Sequence, residues 1–428
     1  MRYSVSNPGQ IENAGARRQN AVSLLLFLLI SSVLTLRFSV SPQIMNLLVR
    51  YTDETGAFYE KLHFGTYAIM LLLPVAFLLR PVFLRDTDVD KFRALIYFTG
   101  WLILLIALMA GLGRASASGY FIDTYVVAGA AGLLMCSVGE PVRRGIGNVV
   151  LATQLLSAII GIGEAATGMR LLPYGANELV FRPTGLADHP LTLGMMCAMA
   201  IGFVASSRWS VAAKAASVVL LFVGTAASGA RFATLLATAE ILAILMFVPW
   251  TNLTRRQEQR AKSVVLILVL LGGAVLVALL LAGGLLSRFS ESLFDENFMA
   301  RITVYEVFGH VDWKAIVFGA DLNAVLEIVN EKLGLPYIES TPVVLIFQLG
   351  LPLAIAFTAL VIWVFRRLLR DARRPAVIGV AVFFLAALSN NTLSTKTPSV
   401  AVVVVLIIAF AASYSGRSRR LPRGVPTD

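Results

Sequence analysis

Two cysteines and three histidines are all that 428 residues offer of the side chains that build disulfide frameworks and zinc sites. Cys136 and Cys197 both fall inside apolar runs, so no disulfide framework is indicated. His63, His189 and His310 form no cluster with them, which leaves a dedicated metal site without ligands. No Walker loop is present, and no dinucleotide fingerprint follows a strand. The chain therefore does not power itself with ATP. Charged residues are scarce at 14%, and no basic segment is interleaved with aromatics in a soluble stretch. The net charge of +11 thus carries no nucleic-acid meaning.

What is abundant is apolar surface. Hydrophobic residues make up 57% of the chain and the mean hydropathy is +0.79, outside the range of soluble domains. Runs near the length that crosses about 30 Å of hydrocarbon lie at 20–36, 65–84, 94–113, 122–139, 147–167, 190–207, 211–228, 232–250, 263–287, 342–365, 375–389 and 398–415. The expected fold is all-α: a polytopic membrane protein with about 12 transmembrane helices. Residues 1–287 would hold spans one to nine, 288–341 a large outer loop, and 342–428 spans ten to twelve and a basic tail. The first run follows a polar stretch without a small-residue cleavage site, so it reads as a retained span.

Orientation follows from Lys and Arg, which collect on the cytoplasmic side. Under twelve spans, 24 basic residues fall on the side of the termini and 12 on the other, although the other side carries the longest loop. Both termini are therefore expected in the cytoplasm. The positive charge is mainly an orientation signal, with contact to anionic lipid as a second use.

That orientation puts the stretch FRPTGLADHPLTLGMM (181–196) on the outer face, with Arg182, Asp188 and His189 at the mouth of the sixth span. Arg231, in SGARF, lands on the same face in a very short turn. An arginine at that depth is costly unless it faces a polar cavity or a partner, and its ordinary alternative is to snorkel to lipid phosphate. His189 is followed by Pro190, so it is equally a helix-capping residue or a substrate contact. The loop 288–341 carries two patterns with helical spacing, Phe298, Ile302, Tyr305, Gly309 and Leu322, Val325, Leu326, Val329, Leu333. Asp321 is the expected cap of the second, with Gly334 and Pro336 as its stop. A folded outer loop on the membrane is expected, carrying Arg301, His310, Glu327 and Glu339. These are the ingredients of an anion grip and a general base.

The run Arg182-Pro-Thr-Gly185 with His189-Pro190, the SGAR turn ending at Arg231, and Arg301 with FGAD (318–321) downstream resemble the O-antigen ligase and Wzy-type O-antigen polymerase superfamily. The likeness covers about residues 150–365 and rests on the order, spacing and common side of motifs that are individually weak. In the ligase branch a His-Asn pair stands about eleven residues before a Gly that opens the next span. Counting back from Gly350 reaches Glu339-Ser340 instead, which looks more like the exopolysaccharide polymerases of the superfamily.

The resemblance implies a bacterial inner-membrane polysaccharide polymerase. It would transfer glycan from a polyprenyl diphosphate-linked donor to a sugar hydroxyl at the outer face, without metal or cofactor. A flippase and a chain-length regulator would be its partner proteins. Arg182, Arg231 and Arg301 would stabilise charge developing on the departing diphosphate. Glu339 or His310 would take the acceptor's proton. His189 and Asn391, the latter in the polar turn 389–399, would contact glycan. A ligase-type transferase stays open as an alternative, as does a secondary transporter or flippase. The transporter reading draws on Glu240 in mid-span and Glu164 near the outer end of span five.

Overall fold

The structure, a computed structural model, describes residues 8–52, 58–79, 84, 86–113, 118–174, 181–249, 254–282 and 296–410. Arg2, Arg80, Arg85, Arg288 and the basic tail, all used in the charge count above, lie outside the described residues, as does the start of the 288–341 loop.

Among the described residues the chain is 80% helix with no strand. In chain order the helices are α1 (Pro8–Ser39), α2 (Pro42–Asn46), α3 (Phe64–Leu79), α4 (Asp86–Gly111), α5 (Ser118–Phe121), α6 (Val127–Cys136), α7 (Glu140–Thr167), α8 (Pro190–Ser206) and α9 (Val211–Ala227). They continue as α10 (Arg231–Phe247), α11 (Arg255–Ala282), α12 (Glu296–Thr303), α13 (Trp313–Phe318), α14 (Leu322–Leu333), α15 (Thr341–Leu349), α16 (Leu351–Leu369), α17 (Arg374–Leu388) and α18 (Ser399–Ala409). Five helical stretches are long and apolar enough to cross a membrane: Arg18–Ser39, Asp88–Gly111, Ser118–Cys136, Glu140–Thr167 and Leu351–Leu369. Another five apolar helices have 10–17 residues.

Local chemistry explains where the helices begin. Prolines stand in the first turns of α7, α8, α15, α16 and α17, where a missing N–H costs nothing. Ser210 caps α9 by accepting from the Ala213 N–H at 3.2 Å, satisfying one orphan donor.

Packing then sorts the helices into layers. α6, α8 and α18 are buried on nearly every side, as expected of helices that are apolar all round. The peripheral helices turn leucines outward instead, with Leu71 71% and Leu78 86% exposed. α8 and α17 meet backbone to backbone: a Cβ on Gly202 would stand 2.4 Å from the Pro375 carbonyl oxygen, and one on Gly379 2.7 Å from that of Met199. Small residues that let helices approach this closely are the usual means of helix association in lipid.

Two expectations need correction. The run 342–365 is not one helix, because it breaks at Gly350, whose φ is +81°. A Cβ there would meet the Val317 carbonyl oxygen at 2.4 Å, so the break is forced by the close passage of α13. α15 instead joins the loop core, where Val343, Val344 and Phe347 pack with Val304, Val307, Val325 and Val329. The first loop pattern is also broken: α12 ends at Thr303 and a 3-10 turn, Val304–Gly309, follows. Ile302 and Tyr305 are consequently exposed and Val304 and Val307 buried, because a tighter turn rotates the following side chains onto another face. The stretch Ser118–Cys136 passes through a π-helical turn, Ile122–Val126, and stays helical throughout. The second loop pattern holds: Asp321 caps α14 through Asn323 N–H and Gly334 closes it with φ +66°.

Candidate functional site

The connections gather at two ends of the bundle. At the first, a chamber of 990 Å³ opens between the α1–α2 turn, the residues before α8, the start of α14 and the 390–396 turn. At the second, Arg143 pairs with Asp88 at 2.9 Å and Arg370 with Asp90 at 3.1 Å, while Arg373 and Arg374 donate to the carbonyls of Ser206 and Phe247.

The RPTG turn at the chamber end is built around Glu164. Its carboxylate, at the end of α7, accepts from the N–H groups of Leu171 (3.0 Å), Thr184 (2.8 Å) and Gly185 (2.9 Å). Gly185 has φ +56°, and a Cβ on it would lie 2.4 Å from the Ser157 carbonyl oxygen, so both conformation and space require glycine. Glu164, on which the transporter reading drew, thus has a structural task in holding this turn. Arg182 leaves the turn to donate through Nε to the Ser228 carbonyl at 3.4 Å. The RPTG and SGAR segments are thus neighbours in space.

His189 stands at the N-cap of α8, and its Nδ1 accepts from the Leu191 N–H at 3.1 Å. The ring proton therefore belongs on Nε2, which is a donor. Burial, reinforced by the positive charges of Arg182, Arg170 and Arg301, lowers its pKa to about 4. The imidazole is neutral across the physiological range. Three guanidinium groups thus bear on one residue at the chamber's edge. Arg182 and Arg301 were, with Arg231, the arginines expected at a diphosphate. Arg170 was not; it stacks over Tyr174 and Phe181, with its Cζ atom 4.3 and 4.8 Å from the ring centroids, and donates to the Arg182 carbonyl at 2.7 Å. Arg231 opens α10 directly after the SGA turn, half-buried, and is not among the charges that shift His189.

Glu339 pairs with Arg301 at 3.3 Å, both partly buried. Next to it Ser340 donates to the Tyr305 hydroxyl oxygen at 3.1 Å, and Thr341 donates to the Asn390 carbonyl at 3.0 Å. The loop is thereby tied to the 390 turn. His310 is exposed at the end of the 3-10 turn, and Glu327 lies on α14. Asn391 and His189 both line the chamber.

Two further groups escaped the sequence reading. Asp123, in the π-helical turn, accepts from the Tyr51 hydroxyl (2.7 Å), the Thr66 hydroxyl (2.6 Å) and the His63 N–H, while its own carbonyl accepts from Arg37 at 2.8 Å. An aspartate entering a membrane-length helix was the available signal. Lys396 donates to the carbonyls of Tyr51 (2.6 Å) and Lys61 (2.9 Å) and lines the chamber. Burial lowers its pKa.

Four chamber residues also carry a buried polar atom without a hydrogen-bond partner among the described residues: Gln43 Oε1, the Tyr120 hydroxyl, Asp188 Oδ1 and Gln348 Oε1. Buried acceptors left unpaired are costly, so an occupant that supplies hydroxyl donors is the natural complement. Among the described residues no group of three or more His, Cys, Asp or Glu could hold a metal ion. No protein-family model matches the chain, and no curated protein does either.

Proposed function

We propose that the protein is a membrane glycosyltransferase of the polysaccharide polymerase type. It would transfer glycan from a polyprenyl diphosphate donor to a sugar hydroxyl at the outer face of the bacterial cytoplasmic membrane. The observation that carries this reading is that Arg170, Arg182 and Arg301 all bear electrostatically on a neutral His189, which lines a 990 Å³ chamber. Guanidinium groups match diphosphate oxygens bidentately, and charge developing on that leaving group is what preorganised donors stabilise best. His189 Nε2–H would donate to a phosphate or sugar oxygen. The chamber, with Asn391 and the unpartnered acceptors of Gln43 and Gln348, would receive the acceptor glycan.

The same reading takes the chain as twelve-spanning, with 288–341 periplasmic and both termini cytoplasmic. Its supports are the 24-to-12 division of basic residues and the outward leucines. Because Cys136 and Cys197 are both buried, a Glu306→Cys variant is a clean reporter. An impermeant maleimide added outside the membrane should label it, and labelling from the cytoplasmic side alone would overturn the orientation.

A transporter is the second reading, favoured by Glu240. This residue of α10 is 1% exposed, and both carboxylate oxygens lack a hydrogen-bond partner among the described residues. Among the described residues it pairs with no arginine. Oε1 faces Gly202 and Gly379 instead. Purified protein should elongate a lipid-linked repeat unit in detergent with chelator present, and Glu240→Gln should leave that activity intact. Failure of the purified chain to elongate, with substrate passage in vesicles lost in Glu240→Gln, would replace the transferase reading with the transporter.

A further inference from the structure

The groups first in line to activate the acceptor are poorly placed for it. Glu339 is engaged by Arg301 at 3.3 Å, His310 is exposed on the loop, and His189 presents an N–H rather than a lone pair to the site. A base must have a free lone pair within reach of the proton it takes.

Asp188 has one. Its Oδ1 is buried and has no hydrogen-bond partner among the described residues, and the residue lines the chamber beside His189. Its position is held from two sides: Gln43 Nε2 donates to the Asp188 carbonyl at 2.9 Å, and the next peptide begins the capped turn of α8. Behind Asp188 lies a second cavity of 30 Å³, walled by Ser41, Gln154, Ser157 and Thr192 among others. That is room for a water with polar neighbours to carry a proton onward.

Resting on the transferase reading, we infer that Asp188 is the catalytic base of this site. The acceptor is a sugar hydroxyl lying in the chamber, and the diphosphate of the donor lies against the arginines on the other side of His189. The hydroxyl oxygen forms the new bond to the anomeric carbon as its proton passes to Asp188. The anomeric carbon–oxygen bond to phosphate breaks, and its electron pair leaves on the polyprenyl diphosphate. Burial raises the Asp188 pKa above its ordinary value, against the lowering effects of Thr192 and Arg37, and a carboxylate so shifted is a stronger base.

The test compares Asp188→Asn, Asp188→Glu and Glu339→Gln in the full-length purified protein. Elongation of a lipid-linked repeat unit is measured together with binding of polyprenyl diphosphate. Asp188→Asn should lose about 10²–10⁴-fold in turnover with diphosphate binding within a few-fold of wild type, which also shows that it is folded. Asp188→Glu should recover part of the rate, and Glu339→Gln should keep more than Asp188→Asn. Near-normal turnover in Asp188→Asn, or a larger loss in Glu339→Gln, would overturn Asp188 as the base while leaving the transferase reading standing. An inactive wild-type protein would remove both.

Discussion

The two ends of the bundle use arginine for opposite purposes. At the second end Arg143 donates to the carbonyls of Val138 and Cys136 and to Asp88, and Arg373 and Lys214 donate to carbonyls at the close of α8. These cations sit on the negative ends of helices, where they satisfy orphan carbonyls and oppose the helix dipole. Arg144 and Glu140 add an i,i+4 pair there. At the chamber end the cations are set against one another: Arg170, Arg182 and Arg301 all depress His189, and Glu339 is the carboxylate paired with Arg301. On the proposed function, like charges that bear on one chamber residue, with unpartnered acceptors among the described residues of the same chamber, are what an anionic, hydroxyl-bearing ligand would relieve. At the chamber end Arg170 and Arg182 also donate to backbone carbonyls, so on the proposed function the comparison separates charge that only finishes the fold from charge that a ligand would engage as well.

The sharpest way to break that comparison is to remove one arginine from each end. Arg182→Ala should reduce polymer formation by about 30- to 5,000-fold, since truncating one partner of a buried ionic contact costs about 2–5 kcal/mol. Arg182→Lys should rescue poorly, because an ammonium cannot reproduce the planar fork. Arg373→Ala should leave turnover near wild type and lower the melting temperature instead. Equal activity in the Arg182 and Arg373 variants would erase the distinction.

A second change tests whether the RPTG turn is held by its carboxylate. Glu164→Gln weakens three hydrogen bonds to backbone N–H groups and should cost roughly 1.5–3 kcal/mol, the range for bonds to a charged acceptor. Thermal unfolding in detergent would read it. A proton-relay role would instead spare stability.

A third concerns His189. Its folded pKa of about 4 lies below the ordinary value near 6.5, so between those values the unfolded chain holds more proton than the folded one. Stability should rise with pH across that window and be lost as pH falls through it, by up to roughly 1.4 kcal/mol per unit. His189→Asn keeps a cap acceptor and should remove this slope relative to wild type. The difference isolates His189, because His63, lowered to about 3 by burial and Arg37, and the raised Asp188 are common to both proteins. Identical pH profiles would contradict a neutral, buried imidazole.

The smallest effect belongs to the exposed pair of Arg370 and Asp90, with side chains 63% and 48% exposed. Asp90→Ala should change stability by no more than about 0.5 kcal/mol and leave activity alone. A large loss there would mean that the second end does more than finish the fold.

Long apolar stretches were legible because solvent alone decides them: a leucine-rich run must be helical wherever backbone groups cannot reach water. α14 was legible for a related reason, since spacing, an Asp cap and a Gly stop are all local signals. The break at Gly350 was not, because its cause is the Val317 carbonyl on another element. The site divides in the same way. Arg182, Arg301, His189 and Asn391 stood out by type and position, whereas Arg170 became relevant only once α7's exit folded back against Arg182. Glu164 looked like an intramembrane acid until its three backbone partners were visible. Asp123 was hidden inside a run that hydropathy averages over, yet it ties Tyr51, Thr66 and His63 to one carboxylate.

By itself, then, the sequence determined the helical class, the apolar runs and the end of the bundle on which the unusual charges lie. Each of these depends on composition and short-range spacing, which are properties of the chain before it folds. Only the tertiary structure decided which charges meet and which acceptors stay unpaired. His189 lies 19 residues from Arg170 and 112 from Arg301 in the chain, and no local rule brings those three groups together. Packing of α7, α8 and the loop core does so, and it also turns Asp188 toward the chamber with one oxygen unpartnered. Electrostatic energy depends on distance through space rather than along the chain, which is why the site existed only once the helices were packed.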